Sequence, residues 1–175
     1  MASHLEFEQW VPFPLDRVFA YFSNPENLPR IMPTSSGTKL IALHRMPPPS
    51  PPVSAGDKAA GVGSKISTSF RILPLLPFRA QWLARITEFE WNHHFADVQD
   101  KGPFKSWHHR HEFVAQLRDG IAGTLVRDRI DYEVGFGFVG AIGNALFIRR
   151  QMENTFAQRQ QTLPQLLADE NHRGH

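Results

Sequence analysis

From Gly63 to Gly137 the chain reads as strand after strand, and this run limits the fold more than any other feature. Successive side chains of a strand point to opposite faces, so residues two apart share one. Ile66, Thr68, Phe70 and Ile72 share a face, as do Trp82, Ala84 and Ile86 within 80–90. Further strands are predicted over 94–100, 104–117 and 121–135. Lys101-Gly102-Pro103 and Arg118-Asp119-Gly120 supply turn residues between them. Neighbouring strands joined by short turns form an antiparallel meander.

Residues 4–11 also alternate, with Leu5, Phe7 and Gln9 on one face, until Pro12 and Pro14 end the strand. Leu15, Val18, Phe19 and Phe22 recur at helical spacing and predict a short helix over 15–22. Asn24-Pro25 stops it, because the residue before a proline avoids helical backbone angles. A second helical turn is expected over 26–32 and a strand over 37–46. Residues 46–63, with prolines crowded into 47–52, read as a flexible loop.

The last element is a helix over about 139–161, with Ile148, Met152 and Phe156 four apart and Leu163, Leu166 and Leu167 extending the stripe. Arg149, Arg150, Gln151, Glu153, Arg159 and Gln160 are assigned to its water-facing side. Pro164 is expected to kink or end it, and 169–175 to fray. At 1.5 Å per residue it spans about 35 Å, the one element long enough to cover a sheet of six or seven strands. The fold class is therefore α+β: a curved antiparallel sheet around a long C-terminal helix, with two short helices after strand 1. A helix covers only a strip of such a sheet, so a cavity is expected between them.

With 175 residues, 41% of them hydrophobic, the chain suits one core, taken as a single domain over 1–168. The net charge of +2 is a weak electrostatic footprint and argues against nucleic-acid binding. The absence of cysteine excludes disulfides, thiolate metal sites and cysteine nucleophiles. No basic region followed by an apolar run opens the sequence, and the apolar stretch 134–148 is too short and glycine-broken to span a membrane. A cytoplasmic setting is expected.

Three motifs carry a family resemblance. Pro14 and Val18-Phe19-Ala20-Tyr21-Phe22 are followed by Asn27-Leu28. Phe95-Ala96-Asp97-Val98-Gln99 leads to Gly102-Pro103-Phe104 and then to Trp107, His109, His111 and Phe113, each two apart. Asp128, Ile130 and Tyr132 close the series. In this order they resemble the Bet v 1-like or START-like superfamily of helix-grip proteins, also called SRPBCC, and the middle motif resembles one bacterial subfamily of it. The resemblance implies a hydrophobic ligand held between sheet and helix. Its relatives include lipid carriers, hormone receptors and polyketide aromatases, cyclases and dehydratases.

Parity sharpens the site. Trp107, His109, His111 and Phe113 share one face; Phe95, Asp97 and Gln99 share another, and Asp128 and Tyr132 a third. If these aromatic-bearing faces are interior, Asp97, Gln99, His109, His111, Asp128 and Tyr132 converge on one hollow. Buried polar groups need partners, since each orphan costs about 1–3 kcal/mol. They can satisfy one another, orient a ligand's polar end, or move protons with His109 or His111 as base beside Asp128. Two histidines with Asp97 or Asp128 could also ligate zinc, but the spacing matches no metal motif and the family pattern explains the pair. The expectation is a small hydrophobic or amphipathic ligand, with no metal and no cofactor. Phe70, Trp82, Ile86, Phe95, Trp107, Phe113 and Ile142 would form the apolar wall. The apolar turn 73–78, with Leu73, Leu75, Leu76 and Phe78, would fold back on the core, gate the mouth, touch a membrane transiently or bury itself in a homodimer.

Overall fold

A computed structural model describes residues 2–49, 58–71, 78–135 and 141–173. Seven strands form one antiparallel sheet: β1 Ala2–Val11, β2 Lys39–His44, β3 Lys65–Arg71, β4 Arg79–Glu90, β5 His94–Lys101, β6 Phe104–Arg118 and β7 Ile121–Val134. Their order is β1-β7-β6-β5-β4-β3-β2, so the meander predicted from alternation is continuous and β1 closes against its last strand. Short helices α1 (Leu15–Ser23) and α2 (Leu28–Ile31) bridge the two sheet edges, and α3 (Ala141–Arg173) follows β7. Asp119 and Gly120 both have positive φ, 50° and 78°, which is the turn that an Asp-Gly pair favours between β6 and β7.

The expected faces hold. Val11, Ile66, Ala84, Ile86, Phe95, Phe113 and Val126 are buried with Val18, Phe19 and Phe22 of α1 and Leu163 and Leu167 of α3. Leu5, Ile130, Tyr132 and Phe156 form a second apolar cluster. The register shifts between Ile86 and Glu88 and between Leu83 and Ala84, irregularities of the kind that bend a strand.

The Pro-rich loop and the last helix call for description beside what was expected of them. The loop 46–63 is fixed at both described ends: Gly61 N–H donates to the Met46 carbonyl at 2.9 Å, and Ala60 N–H to the Ser23 carbonyl at 2.9 Å. A Cβ on Gly61 would fall 2.5 Å from Pro48 Cα, so only glycine permits this approach. Residues 50–57, Leu73, Leu75 and Leu76 lie outside the described residues; Phe78 is 75% exposed.

One expectation is corrected: α3 does not end near 161 or at Pro164 but continues through it to Arg173. Pro164 has no N–H to give the Gln160 carbonyl four residues back. The Gln9 side chain supplies the missing donor, Nε2 to that carbonyl at 2.8 Å. Gln160 Nε2 in turn donates to the Glu8 carbonyl at 3.0 Å. Leu163 and Leu167, both fully buried, hold the helix on either side of the proline. No helix among the described residues is long and apolar enough to cross a membrane.

Gln9→Ala is expected to cost about 1 kcal/mol in urea unfolding, the worth of a typical hydrogen bond. In a Pro164→Ala background, where the helix supplies its own donor, the same change should cost measurably less. Equal costs in both backgrounds would refute this account of the helix.

Candidate functional site

Pairing across three strands sets out the site. Asp97 on β5 lies opposite His109 on β6. His111 on β6 lies opposite Asp128 on β7. Strand parity turns all four toward α3, and α3 lowers Arg159 onto the row. Asp128 is fully buried and receives the guanidinium on both oxygens, Nη1 at 3.2 Å to Oδ1 and Nη2 to Oδ2. The guanidinium also stacks over the Phe156 and Phe22 rings, at 4.4 and 5.4 Å to their centroids.

The same Oδ1 lies 2.9 Å from His109 Nε2. His111 Nδ1 stands 2.7 Å from it, but off the hydrogen-bonding line, so that contact is electrostatic and the nitrogen is left without an aligned partner. An ionised carboxylate can only accept, so His109 must donate from Nε2. In the neutral ring Nδ1 is then a bare lone pair, and it faces Asp97 Oδ2 at 3.9 Å. The two imidazoles lie 3.9 Å apart between centroids, and Phe95 covers His111 at 4.4 Å.

Electrostatics separates the two carboxylates. Burial pushes the Asp97 carboxyl up, against the pull of His109, His108 and the Trp107 indole. Burial would raise Asp128 too, but Arg159, His111 and the His109 hydrogen bond outweigh it and hold it well below the usual range. Burial lowers His109, with the positive field of His111 adding to it and Asp128 opposing. Asp128 and Arg159 thus form an internally balanced pair, beside a histidine that favours its neutral form and a carboxyl that favours its proton.

A cavity of about 350 Å³ opens between sheet and helix above this row. Asp97, His109 and His111 line it, together with Phe70, Trp82, Ile86, Phe95 and Trp107. Trp82 meets Trp107 edge to face at 5.0 Å. Four expected site residues are elsewhere. The Gln99 amide closes the turn before β6, donating to the Phe104 carbonyl at 2.8 Å and accepting from its N–H at 3.2 Å. Phe113 is packed among Phe19, Phe22 and Phe95, and Tyr132 lies behind Phe104 and Trp107. Asp128 sits beneath the histidines rather than on the cavity surface. The Ile142 side chain lies outside the described residues.

Arg159 is the residue that sequence reasoning misplaces. Its charge assigns it to water, yet it is 6% exposed and lines the cavity with Gln151. Its phase carries the signal. Arg159 is three residues after Phe156 and four before Leu163, inside the apolar stripe, and an arginine there calls for a buried acid.

A family model for polyketide cyclase/dehydrase and lipid transport proteins matches residues 11–160. Among curated proteins no sequence matches the chain. Solved structures do. TTHA0849 from Thermus thermophilus aligns over 96% of this chain and 99% of its own, with a TM-score of 0.64 and 14% identity. Protein Ms6760 from Mycobacterium smegmatis covers 95% and 92%, with a TM-score of 0.60 and 14% identity. Norcoclaurine synthase from Thalictrum flavum, in complex with dopamine and hydroxybenzaldehyde, covers 93% and 86%, with a TM-score of 0.57 and 16% identity. At such identities these likenesses establish the fold.

Removing one member of the buried pair leaves the other charge uncompensated, so Arg159→Met should cost about 3–5 kcal/mol. Adding Asp128→Leu should restore part of that loss, a non-additivity read from denaturant midpoints in a double-mutant cycle. A double variant as costly as the sum of the singles would count against the pairing.

Acid should also destabilise the fold in two steps, measured in metal-free buffer. His109 is held neutral, so stability falls once pH drops below about 6.5, where the unfolded chain gains that proton. The Asp128 contribution is complete above about pH 4, its unfolded value, and disappears at lower pH. Asp97, shifted upward, acts in the opposite sense, so Asp97→Asn should make the acid loss steeper.

Proposed function

Since the chain belongs to the polyketide cyclase/dehydrase and lipid transport family, whose members typically bind hydrophobic ligands, we propose that it binds a small amphipathic molecule with its polar end at Asp97, His109 and His111. The observation that carries this reading is a mainly apolar cavity that Asp97, His109 and His111 line together. Its walls are mainly aromatic and aliphatic, and its ionisable groups gather mostly over β5 and β6. A mostly apolar pocket with a few fixed polar contacts is the usual form of a small-molecule site, and about 350 Å³ falls in the usual size range. The Trp107 indole N–H and His111 Nδ1 are buried without aligned hydrogen-bond partners.

A second reading is acid–base catalysis, favoured by the His109 lone pair. Asp128 fixes the tautomer, Arg159 fixes Asp128, and Asp97 stands 3.9 Å from the lone pair with a raised affinity for its proton. In this reading His109 takes a proton from an acidified carbon of the bound molecule and Asp97 returns one to an oxygen, as an aldol-type closure followed by loss of water requires. A structural relative is named a synthase, which shows that this fold can host chemistry.

Native mass spectrometry of the purified chain should show a co-purified small molecule, and a fluorescent apolar probe should bind with one site. Ala84 is buried and lines the cavity, so Ala84→Phe should weaken the probe at least tenfold while far-UV circular dichroism stays unchanged. Equal probe affinity in that variant, or no probe binding by the parent, would overturn the binding reading. The catalytic reading expects turnover of a polyketide-type carbonyl substrate, reduced about 10²–10⁴-fold by His109→Gln. Turnover insensitive to that change would exclude His109 as the base.

A further inference from the structure

We propose that Asp97, His109 and His111 hold one divalent first-row transition metal ion in the cavity. One ligand atom from each residue lies within 4.8 Å of the other two. Two imidazoles and a carboxylate are the donor set of zinc, cobalt and iron(II) sites that keep positions open for a further ligand.

The orientation of the rings supports the assignment. Metal-bound histidines usually turn their other nitrogen to a carboxylate, which fixes the ring and raises its basicity. Here one buried carboxylate faces both: Asp128 Oδ1 accepts from His109 Nε2 at 2.9 Å and lies 2.7 Å from His111 Nδ1, the second contact being electrostatic. That leaves His109 Nδ1 and His111 Nε2 for an ion. Arg159 anchors Asp128 from the far side, so the supporting carboxylate is itself held.

Asp128 and Arg159 cancel, and the ion-pair partner of Asp97 among the described residues is His109, at 3.9 Å. With metal bonds near 2.0–2.1 Å, tetrahedral ligand atoms sit about 3.3 Å apart, so from a present spacing within 4.8 Å the ligand atoms must close by up to about 1.5 Å. Asp97 and His109 are directly paired across β5 and β6, and His111 stands two residues further along β6 on the same face, which keeps the ion's surroundings rigid. Its open positions face the cavity, where the polar end of the proposed ligand would complete the coordination; only this last clause rests on the binding reading.

A second group, Glu90, His93 and His94, also brings three ligand atoms together at the turn between β4 and β5. Glu90 and His93 are exposed, with side-chain exposures of 63% and 62%, and no buried carboxylate orients them. It serves as the control.

The test is a titration of the chelator-stripped full chain with Co(II), followed by visible absorption and competition with Zn(II). The expected result is one equivalent bound with the intense bands of four- or five-coordinate cobalt. Asp97→Asn, nearly isosteric and so least disruptive to folding, should weaken binding at least tenfold, and His111→Ala should do the same. His93→Ala/His94→Ala should leave the bands in place. Absence of Co(II) binding by the stripped chain would overturn the proposal. So would bands that survive Asp97→Asn and vanish in His93→Ala/His94→Ala, which would mark an adventitious surface ion only. The apolar probe is measured in parallel with chelator present. Probe binding without metal binding sinks this inference and leaves the cavity reading intact.

Discussion

The contact on which the rest of the structure turns is the ion pair between Asp128 and Arg159, buried where the last strand meets the last helix. Taking two charges out of water is expensive, and a hydrophobic pair of similar volume is often at least as stable. What the pair contributes is position. A guanidinium that must meet a particular carboxylate on both oxygens fixes α3 along and around its axis. It does so at a seam between the two apolar clusters, one under α1 and β3–β6, the other under β1 and the end of β7. Apolar packing alone would tolerate small slides of the helix along that seam; the pair does not.

The helix needs a second fixed point, and the edge strand β1 provides it. Gln9 donates to the carbonyl that Pro164 leaves open, and Gln160 donates back to the strand at Glu8. Arg17 of α1 reaches the Leu167 carbonyl from the other side. Pro164, which in an isolated helix would break the element, is accommodated because the orphaned acceptor points at a donor on the sheet. With the helix held at Arg159 and again at Gln160, its stretch from Ile148 to Phe156 packs on the sheet with one side and lines the cavity with another.

The sheet is legible in the sequence because a period of two is a strong signal sustained over many residues. The inward faces of β3 to β7 follow from Ile66, Trp82, Phe95, Trp107 and Val126 without reference to any partner. The site is legible only in part. Parity says that Gln99 and Phe113 point inward, yet depth decides whether an inward residue reaches the cavity. Gln99 is taken up by its own turn, and Phe113 is covered by Phe19 and Phe22. Parity also does not rank Asp128 below His109 and His111, because all three share the concave face and only the helix above them sets the layers. Arg159 misleads for a different reason. Its charge points to water and its phase does not, since spacing from Phe156 and Leu163 places it on the buried stripe. Pro164 reads locally as a helix breaker, and the compensating donor, Gln9, lies near the opposite end of the sequence, beyond the reach of any local rule.

These layers make the His109 Nδ1 lone pair the most contested atom in the cavity. Asp128 commits Nε2, so Nδ1 can accept a hydrogen bond from a ligand, take a proton from it, or bind an ion, one at a time. The two functional readings and the metal inference therefore draw on the same lone pair: an ion there would meet the ligand through its own open positions, whereas proton transfer needs the lone pair free. Acid weakens all three, because protonating Nδ1 removes the lone pair. It does so late, since burial and the neighbouring imidazole disfavour the charged ring. A neutral histidine, oriented by a carboxylate that is itself fixed by an arginine, is the condition each of the three requires. That shared requirement is why the buried pair beneath the cavity bears on its chemistry as much as on the fold.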